Sequence, residues 1–274
     1  MKTTLIHCNT VGGHYLEYIH HLYIGATQRT QDNYVFIVPE QFKERSVILD
    51  WPSSKNVTMV FMDVNDKCLK NGGILRNSIN LSKSLRKYVI EYHATDVILI
   101  SMINYLPFLP LYISSNVRVS GIIYRIYLYE WKTESWIKKI QDVFKFLIFS
   151  KFKVFDKVFI LNDSSSASYL NKMYRTSKFR YICDPFPRLS IETNNLRKEL
   201  NIPLEKKIVL HPGDLCYRKG TIALLKGISA CDASYLDNYC FIFAGRVNSA
   251  IKEEFFKLIE EINNKSQCLL FIEG

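Results

Sequence analysis

The chain has 274 residues, 48% of them hydrophobic and 23% charged, with a formal net charge of +10. That is long enough for one large or two ordinary hydrophobic cores, and too apolar for a disordered chain. The longest apolar stretch, 97–113, is interrupted by Pro107 and Pro110, and the N-terminal apolar run is short, so neither a membrane span nor a signal peptide is indicated. Seven cysteines are odd in number and form no CxxC pair, which argues against a disulfide framework or a zinc knuckle and for reduced residues of a cytoplasmic protein.

Short apolar runs alternate with helical patterns along the whole chain, the sequence form of βαβ units around a parallel sheet. Strands are expected at 3–9, 34–39, 57–63, 96–102, 117–124, 157–162 and 179–184. Helical spacing links Leu16, Ile19, Leu22, Tyr23 and Ala26, then Leu81, Leu85, Tyr88, Val89 and Tyr92, then Ile137, Ile140, Phe144, Leu147 and Ile148, the last set being apolar enough to face a core. Together these make a full Rossmann-like domain over 1–187. After the prolines at 185 and 187 comes a polar stretch with a short helix, and a second series starts at Lys207. Its strands are expected at 207–211, 240–244 and 268–272, with helices at 220–229 and 250–262. Three strands do not complete a doubly wound sheet, whose later strands pair on the far side of the first. The segment 188–274 is therefore read as the first half of a second domain in a truncated chain or gene fragment, with a small three-stranded cap on the first domain as the alternative.

Three regions carry candidate chemistry. The first is Gly12-Gly13-His14, between a strand and a helix, where paired glycines permit close backbone approach and the helix start offers N–H groups to a ligand. His14 reads either as a base at the carboxyl edge of the sheet or as a solvated cap residue. No GxGxxG or GxxxxGK[ST] motif accompanies it. The second is the run from Val209 to Gly220, containing His211-Pro212-Gly213-Asp214 and Tyr217-Arg218-Lys219-Gly220. Two cations at a helix start are electrostatically unfavourable unless an anion reverses the interaction, and diphosphate is the natural one. A solvated Arg-Lys pair is the plain alternative.

The third region holds the charge. Residues 1–185 have 24 Lys and Arg against 15 Asp and Glu, a surplus of +9, and within 118–180 the ratio is 13 to 5. Aromatics are interleaved with these cations, and Phe146, Phe149 and Phe152 fall beside Lys145, Lys151 and Lys153. Such a helix suits the headgroup layer of an anionic membrane. The same composition fits single-stranded nucleic acid, or a solvated face with its aromatics in the core. The reading adopted is membrane contact through 118–180, at the inner face of the cell membrane, with no nucleic-acid partner.

The run Gly213 to Gly220, the apolar helix with Ile222, Leu224, Leu225 and Ile228, and the strand Phe241-Ile242-Phe243-Ala244-Gly245 resemble the donor domain of the retaining GT-B glycosyltransferases called family 4, or group 1. The Gly12-Gly13 turn and the segment from Asp156 to Ser164, with its serine-rich turn, resemble their first domain. The resemblance implies an α/β GT-B-like fold of two Rossmann-like domains with parallel sheets. It also implies transfer of a sugar from a nucleotide diphosphate sugar, without cofactor or metal in most members, to a glycan or lipid-linked acceptor. Lys219 matches the family lysine on the donor diphosphate, with Gly213 and Arg218 beside it, and Gly12, Gly13 and His14 fall on the acceptor side. Two departures are present. Asp214 stands where the family has arginine, a place Arg218 or Arg246 could fill, and the Glu-x7-Glu motif that holds the donor sugar is not found before Gly274. A non-catalytic membrane-associated protein of the same fold and a sugar-nucleotide epimerase are the alternatives.

Overall fold

The computed structural model describes residues 2–11, 15–44, 51–62, 73–124, 135–185 and 196–273. The chain divides into two compact units, Met1–Arg188 and Leu189–Gly274.

The first unit runs β1 (Thr3–His7), α1 (Tyr15–Thr27), β2 (Asn33–Pro39), β3 (Val57–Met62), α2 (Ile74–Glu91), β4 (Asp96–Leu99), α3 (Leu109–Tyr112), β5 (Arg118–Ile123), α4 (Trp136–Lys151), β6 (Phe155–Leu161), α5 (Ser164–Tyr174) and β7 (Phe179–Ile182). Its sheet has the order β3-β2-β1-β4-β5-β6-β7 with every pair parallel. β1 is an interior strand, with Leu5 opposite Val35 on one side and Val97 on the other. Alternate residues of each strand enter different cores, as a sheet covered on both faces requires. Leu5, Val35, Val97 and Leu99 pack with Leu81, Leu85 and Phe149 under α2 and α4. Ile6, Phe36 and Val38 pack on the other face with Tyr18, Ile19 and Tyr23 of α1. All seven expected strands are present, several ending earlier than the apolar run suggests. β4, for one, stops at Leu99 because a tight 3-10 turn follows over Met102–Tyr105.

α4 overturns one reading. Of the residues expected to face the core, Ile137, Ile140, Phe144 and Leu147 are exposed and only Ile148 is buried, together with Phe146 and Phe149. The helix carries two apolar rows, and the one with Phe146 and Phe149 is held in the core by edge-to-face contacts. Phe149 meets Phe155 of β6 at 5.1 Å between ring centroids, and Phe146 meets Phe179 of β7 at 6.0 Å. Phe152 is exposed, as are Lys151 and Lys153.

The second unit runs α6 (Leu196–Glu199), β8 (Lys207–Pro212), α7 (Thr221–Ser229), α8 (Ala233–Leu236), β9 (Tyr239–Ala244), α9 (Lys252–Lys265) and β10 (Leu269–Ile272). The strands form a parallel sheet in the order β10-β9-β8. One face meets α7 and α9 through Phe243, Leu225, Phe255 and Ile262. On the other face Cys240 and Ile242 are covered by Ile202, while Ile208 and Leu210 of β8 stay exposed. Just past the strand tips the backbone is drawn together. The Gly213 N–H donates to the Ala244 carbonyl at 2.8 Å, and Gly245, at φ +139°, lies so close that a Cβ there would sit 2.1 Å from the Gly213 oxygen.

Two predictions follow from these contacts. Gly245→Ala adds a side chain where neither φ nor space admits one, so it should destabilise the second unit by about 2–4 kcal/mol. Gly227→Ala, on an exposed helical position with nothing within 4 Å of the new Cβ, should stabilise by about 0.5–1 kcal/mol. Denaturant melts of both variants check the pair, and equal melts would contradict the close approach.

His7 is buried at the end of β1, its Nδ1 sharing a 2.6 Å hydrogen bond with the Tyr105 hydroxyl, and its Nε2 has no partner among the described residues. Burial lowers its pKa to about 3. A histidine depressed in the fold contributes stability that is complete above its ordinary value near 6.5 and drains away as pH falls toward 3, by on the order of 4 kcal/mol. His7→Gln should melt lower at neutral pH yet lose less between pH 6.5 and 4 than the native chain. Parallel slopes in the two melting series would assign the acid loss to other groups.

Candidate functional site

In the first unit the winding of the sheet reverses between β1 and β4, and open α/β sheets take ligands at the carboxyl ends of strands flanking such a reversal. There a pocket of about 420 Å³ opens, lined by residues that follow three different strands. Tyr15 begins α1 beyond β1, Ser101 follows β4, and Tyr124 follows β5. Asn104 and, from α4, Asp142, Lys145 and Phe146 complete the wall. Tyr15 and Ser101 are hydrogen-bonded to each other. The Tyr124 ring packs edge-on against Tyr15 and Tyr18 at 5.1 and 5.5 Å, and its hydroxyl is buried with no partner among the described residues. Burial raises its pKa and keeps it a neutral phenol. Asp142 accepts from Lys145 Nζ at 2.9 Å, so the pocket holds a compensated charge pair.

Flat rings, three hydroxyls, an amide and a carboxylate offer an apolar face together with donors and acceptors. A sugar ring, with its C–H face and hydroxyl rim, presents the complement, and the volume falls within the range of small-molecule pockets. Gly12, Gly13 and His14 lie outside the described residues. Val11 and Tyr15, on either side of them, pack on the α1 face of the sheet.

Below this pocket the end of the domain is tied down. Tyr18 of α1 donates to Asp184, whose other oxygen accepts from Asn162, and Asn162 receives the Asp184 N–H at 3.0 Å. α5 starts at Ser164 because Asp163 caps it, accepting from the Ser166 N–H at 2.8 Å. That cap accounts for the serine-rich turn seen in the sequence.

In the second unit, Gly213, Arg218, Lys219 and Arg246 all come to the carboxyl tips of β8 and β9. Arg218 and Lys219 lie in a 3-10 turn, Tyr217–Lys219, that precedes the helix; Gly220, at φ +74°, is the N-cap of α7. Both cations are exposed, and neither has an acidic partner among the described residues. The nearby Glu254 is already engaged, accepting from Lys226 and from the Tyr217 hydroxyl, both at 2.7 Å. Asp214, the departure from the family pattern, is 3.6 Å from Arg246, both side chains exposed. The two loops are laced further by Leu215 N–H to the Arg246 carbonyl and Asn248 N–H to the Leu215 carbonyl, each 2.9 Å.

Sequence reasoning missed the group beneath these cations. Thr221, fully buried, accepts from the Cys216 N–H and bonds His211 Nε2, each at 3.0 Å, and so fixes the imidazole at the end of β8. Burial lowers the His211 pKa, and the positive charge of Lys219 lowers it further. Lys219 therefore stands close enough to be felt by the imidazole. First-turn amides of α7 have no intrahelical partners and point the same way as the helix N-terminus, a setting that favours anions. Only the glycine and the hydroxyl residue of Gly220-Thr221 signal this in sequence.

No family model matches the chain, and no curated protein matches it in sequence. Solved structures do. WaaG, a glycosyltransferase involved in lipopolysaccharide biosynthesis, is similar at a TM-score of 0.61 and 13% identity, over 99% of this chain and 70% of its own. HepE from Anabaena in complex with UDP gives 0.62 at 13%, over 99% and 69%. A UDP-GlcNAc 2-epimerase from Neisseria meningitidis bound to UDP-GlcNAc gives 0.57 at 13%, over 100% and 72%. With a seven-stranded parallel sheet wound in both directions from β1, a smaller parallel sheet after it, and these likenesses along its length, the chain has the GT-B fold.

Proposed function

We propose that the chain belongs to a glycosyltransferase that moves a sugar from a nucleotide diphosphate sugar to a glycan or lipid-linked acceptor in surface polysaccharide synthesis, at the inner face of a membrane contacted through 118–180. The observation that carries this reading is the tip of β8: three glycines at positive φ, Gly213, Gly220 and Gly245, surround exposed Lys219 and Arg218, which lack acidic partners among the described residues. A diphosphate supplies the negative charge, and a lysine–phosphate contact assisted by helix N–H groups contributes on the order of 2–3 kcal/mol. In the transfer step that charge grows on the leaving group, so the same cations stabilise the transition state more than the ground state. Arg246 takes part by exchanging Asp214 for phosphate. The Tyr15, Tyr124 and Asp142 pocket of the first unit receives the acceptor, and Gly12, Gly13 and His14, just before Tyr15 in the sequence, belong to the acceptor side. No metal or cofactor is assigned a role.

A second reading, sugar-nucleotide epimerase, has the support of the likeness to the Neisseria enzyme. A third, a membrane-associated protein without catalysis, keeps the fold alone. Product analysis with UDP and GDP sugars separates them: transfer to an added glycan supports the first, isomerisation of the nucleotide sugar the second, and no turnover the third.

The binding step has its own reporter. In the free protein the His211 imidazole titrates below 6.5. Lys219→Met removes the neighbouring cation and should raise that midpoint, and UDP or GDP bound at Lys219 should raise it in the native chain as well. A proton-detected NMR titration of the histidines reads both shifts. The variant should also bind nucleotide about tenfold to a hundredfold more weakly by calorimetry. A His211 midpoint that no nucleotide moves, with no measurable heat, would remove the donor assignment.

A further inference from the structure

α4 presents an apolar row to solvent. Trp136 is 70% exposed, Ile140 58% and Phe144 54%, with Ile137, Val143 and Leu147 exposed between and beyond them. These positions recur at three- and four-residue intervals, so they form one continuous stripe along the helix, opposite the buried Phe146 and Phe149. Lys139 lies three residues after Trp136 and four before Val143, on the border of the stripe, and Lys151 continues the row one turn past Leu147. Phe152 and Lys153, both exposed, extend the same mixture beyond the helix end. Around it, residues 118–180 hold thirteen Lys and Arg against five acids.

We infer that the exposed row of α4, from Trp136 to Leu147 with its bordering lysines, docks the chain on the surface of an anionic lipid bilayer. The membrane contact proposed above is thereby placed on a definite surface, and the inference rests on that contact while standing apart from the sugar chemistry. The surface is not the row of Phe146 and Phe149 that the sequence pattern favoured, since those rings are in the core. An apolar stripe bordered by lysines lies in the plane of the interface, its rings among the upper acyl chains and its cations at the phosphates. A second copy fits less well. In a two-fold interface the same basic segment would face itself, and one sixteen-residue helix offers little of the roughly 800 Å² per partner that a stable interface buries.

The 274-residue chain should sediment with vesicles of phosphatidylcholine mixed with phosphatidylglycerol far more than with phosphatidylcholine alone, and release on raising salt. Ile140→Ser with Phe144→Ser should weaken that binding by about tenfold or more, with an unchanged thermal melt because both side chains are exposed in the native fold. Lys139→Glu with Lys151→Glu should abolish the preference for the anionic vesicles. Leu111→Ser, at an exposed apolar site on α3, should leave binding as it was. Undiminished binding by the Ile140/Phe144 variant overturns the inference, as does equal binding to both vesicle types. Failure to bind vesicles also overturns it, and self-association lost in the Ile140/Phe144 variant would then assign the row to a second copy. UDP-induced shifts at His211, measured on the same samples, report on the donor site independently of any of these outcomes.

Discussion

A parallel strand has to be reached by a crossover, because its start lies at the opposite edge of the sheet from its predecessor's end. Both units obey this constraint throughout, and most of what distinguishes the chain descends from it. Crossovers put helices on the faces, so interior strands such as β1 and β2 are largely buried on both sides and read as apolar runs. They also bring the residues that leave each strand to a single edge. Tyr15, Ser101 and Tyr124, from distant parts of the sequence, meet there because each follows a strand by a few residues. His211, Gly213 and Gly245 meet for the same reason in the smaller sheet.

The edge chemistry of the two units differs. Around the pocket, polar groups are compensated within the protein: Asp142 has Lys145, and Asp184 has Tyr18 and Asn162. Tyr124 alone keeps a buried hydroxyl in reserve among the described residues lining that pocket. At the tip of β8 the balance is left open. Acids are present nearby, yet Glu254 is held by Lys226 and Tyr217, and Asp214 faces Arg246. Lys219 is instead set near the His211 imidazole, whose pKa burial lowers and the lysine's charge lowers further, so the imidazole adds no positive charge at neutral pH before any anion arrives.

Legibility in the sequence followed the range of the interactions. Interior strands were visible because burial on both faces leaves its mark on consecutive residues, and β8 because its apolar run persists although Ile208 and Leu210 are exposed. The cations at 218 and 219 and the glycines around them were visible because a turn is a local object. α4 was misread for an instructive reason: its two apolar rows are equivalent by spacing, and the choice between them is made by Phe155 and Phe179, which belong to later strands. Tyr18 and Asp184 are 166 residues apart, and His7 and Tyr105 are 98 apart. No periodicity carries such pairs. The expected ligand turn at Gly12, Gly13 and His14 falls outside the described residues, and no sequence pattern links Tyr15, Ser101, Tyr124 and Asp142, which line the pocket.

β8 lies at the rim of its sheet, with β9 on one side, and between Lys207 and Pro212 it turns Ile208 and Leu210 to solvent. Among the described residues no strand pairs with its other rim, whose backbone donors and acceptors are spaced for another strand and flanked by the kind of side chains that β-pairing rewards. The charge at its first residue and the proline at its last shorten the usable stretch without closing it. An unpaired strand rim of this kind is what a further β-strand, from the same chain or another, is built to cover.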